Sequence, residues 1–196
     1  MTPAARADAV RSRARILDAA RAHDPGALRL NDVAREAGVG VGTVYRHFPT
    51  TQALVEALSI ETLRRLRDLA ERATAEPDAR TAMRTVLKET LDLQLEDGGL
   101  QAVLTAAENA EGESRMLRDE VFSAFGALLA RAQEEGSMRA DVTVEQLQHL
   151  VCGIEHAVRL GSPADRPLLL DILLAGLELP PESVPVSGAG RGRAKE

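Results

Sequence analysis

The residues best suited to chemistry lie between Gly40 and Pro49, in the run Val41-Gly42-Thr43-Val44-Tyr45-Arg46-His47. A hydroxyl, a phenol, a guanidinium and an imidazole are concentrated there, and all four can donate hydrogen bonds. Read as a two-turn helix, the run turns Val44 inward and points Val41, Gly42, Thr43, Tyr45, Arg46 and His47 away from the core. A DNA major groove admits one such helix, which reads base edges with side chains from its N-terminal part.

A second group is His149, Cys152 and His156, spaced by three and four so that one helical face carries all of them. Imidazoles and a thiolate can bind zinc or copper. Satisfied groups at an interface are the expected reading, and no metal or cofactor is predicted. Catalytic signatures are missing. Helical-bundle oxidases carry Glu-x-x-His twice, whereas the nearest approach here is Glu145-x-x-x-His149. HExxH, G-x-S-x-G and a phosphate-cradling Gly loop do not occur. The sequence therefore predicts no enzyme.

The elements that must hold the 41–47 run are helical. Two short helices, Leu30 to Ala37 and Val41 to His47, are joined by a tight turn at Ala37-Gly38-Val39, which makes a helix-turn-helix. Val33, Ala34, Val39, Val44 and Phe48 form the apolar set that locks the pair, and Gly38 supplies positive φ. Ahead of them, Val10, Ala14, Leu17 and Ala20 mark an amphipathic helix over about 7–23. Behind them a long helix runs over 51–74, started by Thr50 or Thr51. Further helices are predicted at about 78–95, 100–109, 114–135, 143–160 and 165–178, with Gly136 closing the fourth of the set that starts at 51. The fold class is all-α, about nine helices with no strand, and residues 180–196 read as a disordered tail.

Composition agrees. The chain has 196 residues, of which 44% are hydrophobic and only 2% aromatic, so the strand-favouring aromatics are nearly absent. One cysteine excludes an intramolecular disulfide. No uncharged stretch approaches the ~20 residues needed to span a bilayer, and no apolar leader opens the sequence, so a cytoplasmic protein with no membrane partner is expected. The net charge of −6 hides an asymmetry. Residues 1–51 hold eight Arg against five acids, while the remainder carries the acidic excess.

Residues 8–68 resemble the TetR family of transcriptional regulators. The resemblance rests on Asp32-Val33-Ala34, Ala37-Gly38-Val39, Gly42-Thr43-Val44-Tyr45, His47-Phe48-Pro49 and Gln52-Ala53-Leu54. It implies phosphate contacts from Thr43, Tyr45 and His47, with Gly42 keeping the backbone close to DNA. It implies variable base readout at Val41 and Arg46, and Arg46 can fork onto guanine. Two positions depart from the family pattern. Thr51 stands where Lys is frequent, leaving a hydroxyl or the helix N-terminus for a phosphate. Arg29 replaces a capping Thr or Ser, so Asn31 takes the cap or the helix has none.

In the body, the helix at 165–178 is apolar on every side and its predecessor carries two stripes, so both need more than one partner. An isologous four-helix dimer interface through Leu147, Val151, Ile154, Val158, Leu169, Ile172 and Leu173 is expected. Leu87, Leu91, Leu104, Glu108, Phe122 and Phe125 are candidates for a pocket that takes a small hydrophobic effector, as the resemblance implies. The expected organisation is a DNA-binding domain over 1–50, a bridging helix over 51–74, and an effector-binding and dimerisation domain over 75–179. The whole reads as a homodimeric repressor of a palindromic operator, released by its effector. The alternative is control by a protein partner.

Overall fold

The computed structural model describes residues 3–105 and 112–180. Glu108 and the tail beyond 180 lie outside the described residues. The helices are α1 (Pro3–Ala20), α2 (Leu30–Ala37), α3 (Val41–His47), α4 (Thr51–Thr74), α5 (Ala79–Glu96), α6 (Leu100–Thr105), α7 (Gly112–Glu134), α8 (Val144–Leu160) and α9 (Arg166–Leu177). A 3₁₀ turn, Pro163–Asp165, leads into α9. The fold is all-α; among the described residues the sole β-type pairing is one antiparallel bridge between Met138 and Glu178.

Local chemistry accounts for most of the boundaries. Thr50 caps α4 by accepting from Ala53 N at 3.0 Å. Asp78 caps α5 through Thr81 N. Thr143 and Gln146 cap α8 reciprocally, each side chain taking the other's backbone N–H. Gly136, at φ +67°, lets the chain leave α7 while Ser137 N returns to Ala132 O at 2.9 Å. Asn31 does not cap α2. That helix starts at an extended Arg29 with no side-chain cap, and Asn31 lies exposed in its first turn.

Two apolar cores form. In the head, Ile16, Ala20, Leu28, Leu30, Val33, Ala34, Ala37, Val44, Phe48 and Leu54 are buried together. The stripe expected on α1 is displaced: Val10 and Ala14 are exposed, while Ile16 and Ala20 face inward and Leu17 is half-buried. The reason is tertiary: the face that packs on the rest of the head is the one carrying Ile16 and Ala20.

The second core fills the body with side chains from α4 through α9. Helix α4 belongs to both, giving Leu54 to the head and Val55, Leu63, Leu66 and Leu69 to the body. It packs most extensively on α7. The turn before α6 grips α4 as well: Asp97 accepts from the Ser59 hydroxyl at 3.2 Å and the Thr62 hydroxyl at 2.7 Å.

Candidate nucleic-acid interface

Helix α3 buries one side chain, Val44. Val41, Gly42, Tyr45 and Arg46 are exposed, with Val41 at 44% and Tyr45 at 48%; Thr43 and His47 are half-buried. Around Gly42 the space is open, with no atom within 4 Å of where a Cβ would stand. Thr51 is half-buried as the first residue of α4, beside the Thr50 cap. The structure thus brings Val41 to His47 onto one helix whose outward surface is unobstructed, with Asn31 and Thr51 each opening a neighbouring helix.

The turn that orients α3 is built as its spacing requires. Gly38 adopts φ +61°, ψ +38°, and Val39 N donates to Ala34 O at 3.0 Å. A residue with a Cβ is strained in that region.

Two arginines of α1 have definite places. Arg15 donates to Gly38 O at 3.2 Å, tying α1 to the turn. Arg13 lies over the Phe48 ring, 5.3 Å from its centroid, at the C-terminal end of α3. No local signal announces either contact, because the partners are distant along the chain.

His47 sits in this basic setting. Partial burial, then the charges of Arg13 and Arg46, hold its pKa below the ordinary histidine value. The neutral imidazole is therefore favoured at neutral pH until an anion approaches.

Residues 16–58 match the model for bacterial regulatory proteins of the tetR family, and residues 78–179 match that for the C-terminal domain of SbtR-like transcriptional regulators. A TetR transcriptional regulator from Streptomyces coelicolor is 32% identical, with a TM-score of 0.52, covering 85% of this chain and 98% of its own. The chain belongs to the TetR family. This TetR-family protein is thus a DNA-binding transcriptional regulator by class.

Two other solved members were crystallised with small molecules. LfrR from Mycobacterium smegmatis, in complex with proflavine, is 26% identical with a TM-score of 0.53, covering 85% of this chain and 94% of its own. FadR from Bacillus subtilis, in complex with stearoyl-CoA, shares the fold at 17% identity and a TM-score of 0.55, covering 83% and 97%. No curated protein matches the sequence.

In the body of this TetR-family regulator, a cavity of ≈ 20 Å³ lies between α5, α7 and α8. Its walls include the expected Leu87, Phe122 and Phe125, together with Met83, Thr90, Leu147, Gln148 and Val151. Leu91 is buried core and not a wall, and Leu104 borders a separate surface depression. Glu108 lies outside the described residues.

The expected dimer residues differ in burial within the single chain. Leu147, Val151 and Val158 are buried inside the subunit's own core, and the first two line the cavity. Ile154, Leu169 and Leu173 are half-buried, and Ile172 is 61% exposed. The open apolar face is instead Leu150, Gly153, Ala157 and Leu160 on α8 with Leu168 and Ile172 on α9. Cys152 faces inward while His149 and His156 are exposed, so the three do not meet. Among the described residues no cluster of three His, Cys, Asp or Glu forms. No described helix is long and apolar enough to cross a membrane.

Proposed function

We propose that this regulator is a homodimeric repressor that binds a two-fold symmetric operator and is released by a small effector. The observation that carries the reading is that α3 buries Val44 alone, presenting Val41, Tyr45 and Arg46 outward on a rigid head. In this reading Tyr45, Thr43 and His47 hold phosphates, Gly42 admits the backbone, and Val41 and Arg46 read bases. Asn31 and Thr51 add phosphate contacts at helix N-termini. The head comprises residues 1–50, the bridge 51–74, and the effector and dimerisation domain 75–179.

Pairing of α8 and α9 with those of a second copy covers Leu150, Leu160, Leu168 and Ile172, of which Leu160 alone is 76% exposed. Two recognition helices then face successive major grooves, about one DNA turn apart. Release follows from the same geometry. Anything larger than water must part the walls of a ≈ 20 Å³ cavity. Helix α7 supplies part of that wall and packs along α4, whose Leu54 sits in the head core. A tilt of α4 alters the separation of the two heads, while the groove spacing stays constant. The small molecules held by LfrR and FadR support an effector of this kind.

Selection of bound fragments from a random DNA pool tests the reading. A two-fold symmetric site is expected, and recovery of no preferred sequence at moderate salt would overturn it.

A further inference from the structure

Beyond the apolar walls, α5 and α8 enclose a seam of polar side chains that the fold itself leaves unsatisfied. Thr90 is 2% exposed, lines the cavity, and its hydroxyl has no hydrogen-bond partner among the described residues. One turn on, beyond the cavity's walls, Gln94 is wholly buried, and neither its amide nitrogen nor its carbonyl oxygen is hydrogen-bonded there. Burial pushes the pKa of the neighbouring Cys152 thiol up, with Gln148 foremost and then Gln101 and Gln94 acting against it, although Gln94 lacks the geometry of a hydrogen bond. Thiols are weak partners in any case.

Across the seam, Gln148 donates to the Cys152 sulfur at 3.1 Å, and Glu155 keeps one oxygen unpaired while Arg159 takes the other. Arg159 is committed further, donating to Gln94 O at 2.9 Å and Leu95 O at 3.2 Å. Buried amides are nearly always paired, and an orphan is costly. Leucine at position 94 would relieve the core of that cost, so the glutamine asks for an occupant.

Resting on the effector reading above, we propose that Thr90 on the cavity wall and Gln94 one turn beyond it form the recognition point for the effector's polar group. The effector is then a compact molecule with an apolar body against Leu87, Phe122, Phe125 and Val151, bearing one neutral group that both donates and accepts. A hydroxyl or carboxamide meets that description. A carboxylate does not, because the seam's cation is already held by Glu155 and two carbonyls, and the free Glu155 oxygen repels an anion.

The test uses phenol, benzamide, toluene and benzoate, which vary one substituent on a common ring, and reads thermal shift on the full-length protein. Phenol or benzamide is expected to bind about ten-fold more tightly than toluene or benzoate. Gln94→Leu should raise the melting temperature of the free protein and level phenol with toluene. Thr90→Val is the second variant and should narrow the same preference. Equal binding of phenol and toluene to the unaltered protein, a preference that survives both substitutions, or no binding by any of the four at millimolar concentration overturns the proposal. Any of these would mean the seam holds water only. Fragment binding is scored separately with the selected DNA. A ligand preference without effect on DNA strikes the regulatory reading alone, and DNA binding without a ligand preference strikes this one alone.

Discussion

At the scale of single residues, α3 separates stability from recognition. Tyr45 is half-exposed and is not part of the buried head core, so Tyr45→Ala should leave the melting temperature nearly unchanged. It should weaken binding to all DNA sequences and reduce the salt dependence. Arg46→Ala should instead change the preferred sequence, read by repeating the fragment selection.

His47 adds a pH dependence whose sign follows from its neighbours. Its pKa in the folded chain lies below the unfolded value, so the unfolded chain takes up the proton first as pH falls. Stability from this residue is therefore present above the ordinary histidine pKa of ~6.5 and declines below it. Bound phosphate acts the other way, favouring the charged imidazole. Operator affinity, measured by titration between neutral and mildly acidic pH, should rise as pH falls, and His47→Gln should flatten the rise.

At the scale of elements, the joints between helices are where single substitutions tell most. Thr143→Ala removes one half of the α8 capping box and should cost about 1 kcal/mol in denaturant unfolding. Gly99 is tighter. A Cβ there would stand 2.8 Å from Val55 Cγ1 on α4, so Gly99→Ala should cost about 1–3 kcal/mol through overpacking. Because Asp97 in the same turn holds Ser59 and Thr62, the substitution moves α6 against the bridging helix. Altered effector response at unchanged effector affinity is the expected signature. By contrast Gly38→Ala strains a left-handed turn, although the near atom, Arg15 Nη2 at 2.7 Å, can swing aside. Its damage should fall on DNA binding, since Arg15 also ties α1 to that turn.

At the scale of the whole molecule, one feature closes the body and another bears on the proposed pairing. Glu178 follows α9 and receives hydrogen bonds from Arg80 at 3.1 Å and from Arg84. Those bonds, Arg84's foremost, hold its carboxyl below the usual glutamate pKa against the opposing effect of burial. Stability from this pair is thus present above the unfolded glutamate pKa and lost as pH falls through the folded value. Glu178→Gln should lower stability near neutrality and make acid unfolding less steep, measured by denaturant titration at several pH values. The apolar α8–α9 face is where the proposed dimer would pair. If it does, Ile172→Glu should convert that dimer to monomers in sedimentation while leaving the monomer folded, because Ile172 is mostly exposed in the single chain.

The helix-turn-helix and nearly every helix boundary were legible in the sequence because their causes are local. Gly38 and Gly136 mark left-handed turns, Thr143 marks a cap, and the α5 period of Met83, Val86, Leu87 and Leu91 needs no partner to be read. Orientation was not legible where polarity fails to distinguish faces. Helix α8 has apolar residues on two sides, so only packing decided that Leu147 and Val151 line the cavity while Leu150 and Leu160 stay open. The same holds for Ile16 over Val10, for Arg13 over Phe48, and for the burial of Gln94, each set by a neighbour remote in sequence that no periodicity encodes.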